Sequence, residues 1–267
     1  MSLRIETHGS GPVQLVLIHG WAMHGGVLQP LVDALAGHCT MHVVDLPGHG
    51  YSRDCGLPLE PHACAAAIAA VTPPAIWLGW SLGGLVALTA ALDLPRQVQG
   101  LAMLCATPKF VRSGDWPHGS DGALVHQLAS DLETDYDGTI ERFLALEAMG
   151  SADPRAELRH LRQLVFARGK PDLRILQEGI HLLETSDLRG DLPRLAVPSS
   201  WIAGRRDRLV PPPAMAWSAS QCGGDYDEIP QAGHAPFFGH VDALVQVLQP
   251  LFAGQHAGTA SMSFSDE

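Results

Sequence analysis

The chain has 267 residues, 46% of them hydrophobic, which suits one large α/β domain with a full core and excludes a disordered or fibrous protein. Basic residues number 17 against 28 acidic ones, and the net charge of −11 repels nucleic acid and anionic membrane surfaces as a whole. Met1 to Glu6 holds no long apolar run, no segment is long enough to span a bilayer, and the five cysteines form no Cys-x-x-Cys pair, so a cytosolic protein with reduced thiols is expected.

Leu3 to Glu6 reads as a first strand, turned by Gly9-Ser10-Gly11-Pro12. Gln14-Leu15-Val16-Leu17-Ile18 is continuously apolar, as in a strand covered on both faces. It ends at His19-Gly20-Trp21, and a helix near Val27 to Leu35 follows. Met41 to Asp45 is the next strand, broken by Leu46-Pro47-Gly48-His49-Gly50, and an alanine-rich helix lies near His62 to Val71. Ala75-Ile76-Trp77-Leu78 then runs as a buried strand into Gly79-Trp80-Ser81-Leu82-Gly83. That Gly-x-Ser-x-Gly pattern, between a strand and the apolar helix from Leu85 to Leu92, predicts a sharp turn that exposes the Ser81 hydroxyl above the sheet. Leu101 to Cys105 is one more strand.

Alternating strands and helices predict a mostly parallel sheet wound on both faces, with ligands at the strands' C-terminal ends. From about Val111 to Asp187 the pattern is helical, with no convincing strand. Asp153-Pro154 supplies an N-cap and a first helical position, and Gly150 a stop for the helix before it. Strand signals return at Pro198 to Gly204 and at Tyr226 to Pro230. The expected organisation is a core of residues 1–110 and 188–253, a helical cap over the active face at 111–187, and a disordered tail at 254–267.

A serine hydroxyl needs a base to take its proton, and the base needs a carboxylate to hold it. In this arrangement the chain order should be serine, acid, histidine. Asp207 follows the next-to-last strand and His234 follows the last one, so Ser81, Asp207 and His234 are the candidate triad. Asp227 and Glu228 are rival acids that sit within a strand and not beyond it. Two backbone N–H groups are needed for the oxyanion, and Leu82 and Trp21 are placed to supply them. Fourteen histidines invite a metal, but no His-Glu-x-x-His spacing occurs, and no metal is expected.

These residues resemble the α/β-hydrolase superfamily through Val16 to Trp21, Val44 to Gly48, the elbow around Ser81, and His234-Ala235-Pro236-Phe237. Trp80 within the elbow and Arg142-Phe143-Leu144-Ala145-Leu146 in the cap are similar, more narrowly, to the pimeloyl-[acyl-carrier protein] methyl ester esterase family of biotin synthesis. That resemblance implies an α/β-hydrolase fold, methanol release from an acyl-carrier protein bearing a pimeloyl methyl ester, no cofactor, and a cytoplasmic monomer. It implies substrate contacts at Trp21, Ser81, Leu82, Phe143, Leu144, Ala145, Leu146, Glu147 and His234, and carrier docking at Arg142, Arg155 and Arg159. Two positions depart from the family. Glu147 stands where a neutral glutamine is usual and is expected to point outward, and Gly138 stands where another basic residue is common. Between Glu141 and Arg174 seven basic side chains face five acidic ones, in an otherwise acidic chain, which suits an acidic carrier. On the residues alone, a broad short-chain esterase, a C–C bond hydrolase, an aminopeptidase and a non-catalytic ligand receptor stay open.

Overall fold

A computed structural model describes residues 3–151 and 153–259. Strands β1 (Ile5–His8), β2 (Val13–Ile18), β3 (Cys39–Val44), β4 (Ala75–Trp80), β5 (Val98–Leu104), β6 (Ser199–Gly204) and β7 (Asp225–Ile229) form one sheet in the order β1-β3-β2-β4-β5-β6-β7. β1 is antiparallel to β3, and the remaining pairings are parallel. Every residue of β4 and of β6 is buried, as in central strands whose two faces are both covered by helices. β7 lies at the sheet edge and is largely half-exposed, which its sequence Asp-Tyr-Asp-Glu-Ile tolerates.

The core helices are α1 (Gln29–Leu35), α2 (Pro61–Ala69) and α3 (Leu82–Asp93). The cap is α4 (Gly122–Thr134), α5 (Tyr136–Ala148), α6 (Pro154–Val165) and α7 (Leu173–Thr185), and the chain returns to the core with α8 (Pro212–Cys222) and α9 (Val241–Thr259). α3 is buried from Leu82 through Ala91, because it is apolar nearly all round. The expected helix at 27–35 divides into a short 3-10 turn, Gly25–Leu28, capped by His24, and α1, which Pro30 opens. The first strand begins two residues later than expected, since its ladder to β3 runs from Ile5 opposite Val44 to His8 opposite Met41. Asp153 caps α6 by accepting the Ala156 N–H at 3.0 Å, and Gly150 takes φ +93° just beyond α5. α9 continues through residues 254–259, inside the stretch expected as a disordered tail, and residues 260–267 of that stretch lie outside the described residues.

The cap is tied to the core along one side. Arg168, between α6 and α7, pairs with the buried Asp45 at 3.1 Å and with Glu6 at 2.7 Å, and covers the Tyr51 ring at 4.5 Å. His24 Nε2 bonds the Leu164 carbonyl at 2.8 Å. On the other side Lys109 pairs with Asp187 at 3.0 Å. Among the described residues, no helix is long and apolar enough to cross a membrane.

Candidate active site

β4 ends at Trp80 and α3 begins at Leu82, so Ser81 alone turns the chain from strand to helix. It does so at φ 54° and ψ −123°, a backbone state that L-residues rarely adopt. Its N–H extends the sheet ladder to the Leu104 carbonyl at 3.0 Å, and its own carbonyl accepts the Gly84 N–H at 2.9 Å, so the strain is held from both sides. The flanking glycines are steric necessities. A Cβ on Gly79 would lie 2.4 Å from the Gly83 oxygen, and one on Gly83 would lie 2.5 Å from the His19 oxygen.

The loops after β6 and β7 bring Asp207 and His234 to this serine. His234 Nδ1 is 2.8 Å from Asp207 Oδ2, and His234 Nε2 is 2.9 Å from Ser81 Oγ. A carboxylate only accepts, so Nδ1 carries the imidazole proton, and Nε2 is left with a lone pair facing the hydroxyl. The other carboxylate oxygen of Asp207 accepts the N–H groups of Leu209 and Val210, at 2.8 and 3.0 Å. Asp207 is therefore aimed by backbone donors, and the neighbouring Arg205 pairs instead with Glu228 at 3.2 Å. Glu228, the rival acid, also accepts the Tyr226 hydroxyl at 2.7 Å, and its partner Asp227 stays within β7.

Two further residues position this set, and sequence reasoning assigned neither role. Trp80 Nε1 donates to the His234 carbonyl at 2.8 Å, while its ring meets Phe237 edge-on at 4.9 Å. A tryptophan inside the elbow was the available signal. His19 accepts the Leu46 N–H on Nε2 at 2.9 Å, so its Nδ1 bears the proton and donates to the Gly20 carbonyl at 2.8 Å. Burial, with His49 beside it, pushes the His19 pKa well below the usual value and keeps this ring neutral. In a planar trans peptide the Trp21 N–H points opposite to the Gly20 carbonyl, so His19 sets the direction of that N–H. This loop lies against the serine, since a Cβ on Gly20 would be 3.1 Å from the Ser81 Cβ. Leu82 N–H is the first of α3, where a helix has no internal acceptor to offer. Cys105 lies beside the set. It follows β5 at φ 45°, and its Sγ lies among the Asp207 and His234 side chains.

The cap covers the site with Trp21 as its contact. The indole Nε1 donates to the Leu176 carbonyl at 2.9 Å, and Phe143 meets the indole edge-on at 4.7 Å. Phe143 and Leu144 are buried and Leu146 is half-buried, but Ala145 is exposed. Five consecutive helical residues exceed one turn of 3.6, so they cannot share a face. Glu147 corrects the outward expectation: it is fully buried, and neither carboxyl oxygen has a hydrogen-bond partner among the described residues. Burial, and then the charges of Glu157 and Asp207, push its pKa well above the usual carboxylate range. Glu157, in the first turn of α6, is buried as well, and burial pushes its pKa up to about 8. On the outer face, Arg142 is engaged by Asp131 and Asp135, each at 3.0 Å. Arg155 and Arg159 are exposed on α6 and form no ion pair among the described residues.

Comparison with known proteins agrees with this architecture. A family described as the alpha/beta hydrolase family matches residues 15–247. The chain is 56% identical over 253 residues to a pimeloyl-[acyl-carrier protein] methyl ester esterase of Stenotrophomonas maltophilia, covering 94% of this chain and 97% of that protein. A protein of the same name from Xanthomonas oryzae is 55% identical over 252 residues, covering 94% and 99%. Among solved structures, an esterase from Exiguobacterium antarcticum superposes with a TM-score of 0.84 at 21% identity, covering 94% of this chain and 95% of that one. The enol-lactonase from Burkholderia xenovorans does so at 0.80 and 19%, covering 94% and 96%. At such identities the structural likeness speaks for the fold.

Proposed function

The chain belongs to the alpha/beta hydrolase family and, within it, to the pimeloyl-acyl-carrier-protein methyl ester esterases, and from that premise we propose that Ser81, His234 and Asp207 hydrolyse the methyl ester of a carrier-bound pimeloyl chain in biotin synthesis. The observation that carries the chemistry is the unbroken line of hydrogen bonds from Ser81 Oγ through the imidazole to a carboxylate anchored by two amides. Ser81 attacks the ester carbonyl while His234 Nε2 takes its proton. Asp207 holds the Nδ1–H tautomer and stabilises the imidazolium. The N–H groups of Trp21 and Leu82 hold the oxyanion, each contributing roughly 3 kcal/mol. His234 then protonates the departing methanol, and water activated by the same ring frees the acid. No step calls on a cofactor.

Trp21 and Phe143 form the apolar wall for the acyl chain, and the buried Leu144 and half-buried Leu146 follow Phe143 on α5. Glu147, one turn beyond Phe143 on α5, is a buried carboxyl whose pKa burial raises well above the usual carboxylate range. Arg155 and Arg159, free of ion pairs among the described residues, offer the docking face for the acidic carrier, and Arg142 adds to it from α5 with its charge shared by Asp131 and Asp135. We infer a cytoplasmic monomer.

Two assays test this. Wild type and Ser81→Ala are compared on a short p-nitrophenyl ester, and both are introduced into a strain that lacks the esterase and cannot grow without biotin. Wild type is expected to hydrolyse and to restore growth, and Ser81→Ala to do neither. A soluble wild type that cleaves the small ester but never restores growth would leave a broad esterase as the better reading. Arg155→Glu with Arg159→Glu should slow the carrier-bound substrate and spare the small one.

A further inference from the structure

Cys105 stands outside the chemistry above, yet it lies in the middle of it. Its N–H continues the sheet ladder to the Ile202 carbonyl at 2.9 Å, and the left-handed φ that follows β5 carries its side chain beneath the loops of Asp207 and His234. Its Sγ, a carboxylate oxygen of Asp207 and a ring nitrogen of His234 all lie within 4.8 Å of one another, and all three side chains are buried. The thiol's hydrogen bond is weak, to the Gly233 carbonyl at 3.9 Å. We propose that Cys105, Asp207 and His234 form an inhibitory site for a thiophilic divalent cation of the Zn²⁺ type.

Thiolate, imidazole and carboxylate are the ligand types that such ions select. Bonds of about 2.0 Å to nitrogen and oxygen and about 2.3 Å to sulfur place tetrahedral ligands roughly 3.3–3.5 Å apart. The trio needs to contract by about 1.3 Å at most, while the 2.8 Å contact between His234 and Asp207 opens by about half an ångström. Charge favours the ion. The Asp207 carboxylate and a Cys105 thiolate together balance a divalent cation in a site that excludes water. Without a cation the thiol stays protonated, since burial and the Asp207 charge hold its pKa well above the usual value.

The proton balance explains why occupancy would stop the reaction. The ion bonds to Sγ, to Asp207 and to His234 Nδ1. The thiol proton leaves to solvent. The proton displaced from Nδ1 is replaced by one on Nε2, so the ring remains neutral and one proton is released per ion. Nε2 then presents N–H to Ser81 Oγ and has no lone pair to accept the serine proton. This inhibitory consequence rests on the base role assigned to His234, whereas binding of the ion does not. Because all three ligands are buried, the site must open before an ion enters, and inhibition should develop over time.

The test uses the purified protein with Zn²⁺, Cd²⁺ and Co²⁺ salts. Wild type should lose p-nitrophenyl esterase activity progressively, recover it with a chelator, release one proton per ion in weak buffer, and show thiolate-to-cobalt absorption with Co²⁺. Cys105→Ala and Cys105→Ser should remain active, lack that absorption, and need at least about tenfold more Zn²⁺ for the same inhibition. Equal Zn²⁺ sensitivity of wild type and either variant would overturn the proposal. So would Co²⁺ bound to wild type without a thiolate band, which decides the matter even if both variants fail to fold. An inactive wild type that still shows the band and the proton release would instead count against the esterase reading.

Discussion

Replacing Glu157 by glutamine should flatten the dependence of stability on pH. Glu157 is 8% exposed, and one of its carboxyl oxygens has no hydrogen-bond partner among the described residues. Burial raises its pKa from 4.5 to about 8. A carboxyl whose pKa is raised on folding binds its proton more tightly in the native state. The stability it lends is complete below about pH 4.5 and is lost as the pH climbs through about 8. Within that window the loss is about 1.4 kcal/mol per pH unit, so raising the pH from 4.5 to 7 withdraws about 3 kcal/mol. For a chain of this length that is a fall in melting temperature of roughly 6–12 °C. The opposing effect is the attraction of a first-turn carboxylate for the helix N-terminus, worth ~0.3–1 kcal/mol, so burial wins. Glu157→Gln keeps the shape and removes the titration. Thermal melts of wild type and variant between about pH 5 and pH 7.5 should diverge, with the variant gaining as the pH rises. Parallel curves across that range would refute the reasoning, because they would mean that Glu157 is solvated or paired in solution.

Glu147→Gln should act in the same direction, since burial raises that carboxyl too, and melts over the same range will show it. Trp80→Phe removes the donor to the His234 carbonyl. It should lower kcat about 10–100-fold with little change in KM on a p-nitrophenyl ester, because the base is displaced and the acyl wall is not. Gly83→Ala drives a Cβ into the His19 carbonyl. It should cost about 1–3 kcal/mol in denaturant unfolding and most of the activity, since the oxyanion loop and the elbow are pushed apart. Arg168→Ala leaves the buried Asp45 with the N–H groups of Gly25 and Tyr51 but no cation, and should lower stability by about 2 kcal/mol in the same measurement.

Local signals carried the fold. The apolar runs at 14–18 and 75–78 read as strands covered on both faces, and β2 and β4 are buried almost throughout. The Asp153-Pro154 pair marked the start of α6, because a cap and a fixed φ act within one turn. The meeting of Ser81, Asp207 and His234 was legible for a related reason. In a parallel sheet the chain returns to the same edge after every strand, so residues just past β4, β6 and β7 converge wherever else the chain wanders.

Side-chain direction in the cap was not legible in the same way. A carboxylate beside an acyl chain is unfavourable, so Glu147 is expected to point outward, and the resemblance implies a substrate contact at Ala145, yet α5 buries the first and exposes the second. The face that α5 turns inward is the one on which Phe143 packs against Trp21.

The order of residues along the chain thus determined where strands end, which glycines surround Ser81, and which acid and imidazole arrive beside it, since each depends on neighbours a few positions away. Packing of distant segments decided the rest: the proton that His19 places on Nδ1, the carboxyls shut inside the cap, and the thiol of Cys105 set against His234. Those outcomes depend on desolvation and on distances of a few ångströms between groups from 27 residues apart, as for His19 and Leu46, to well over a hundred, as for Cys105 and His234, quantities that no stretch of sequence contains.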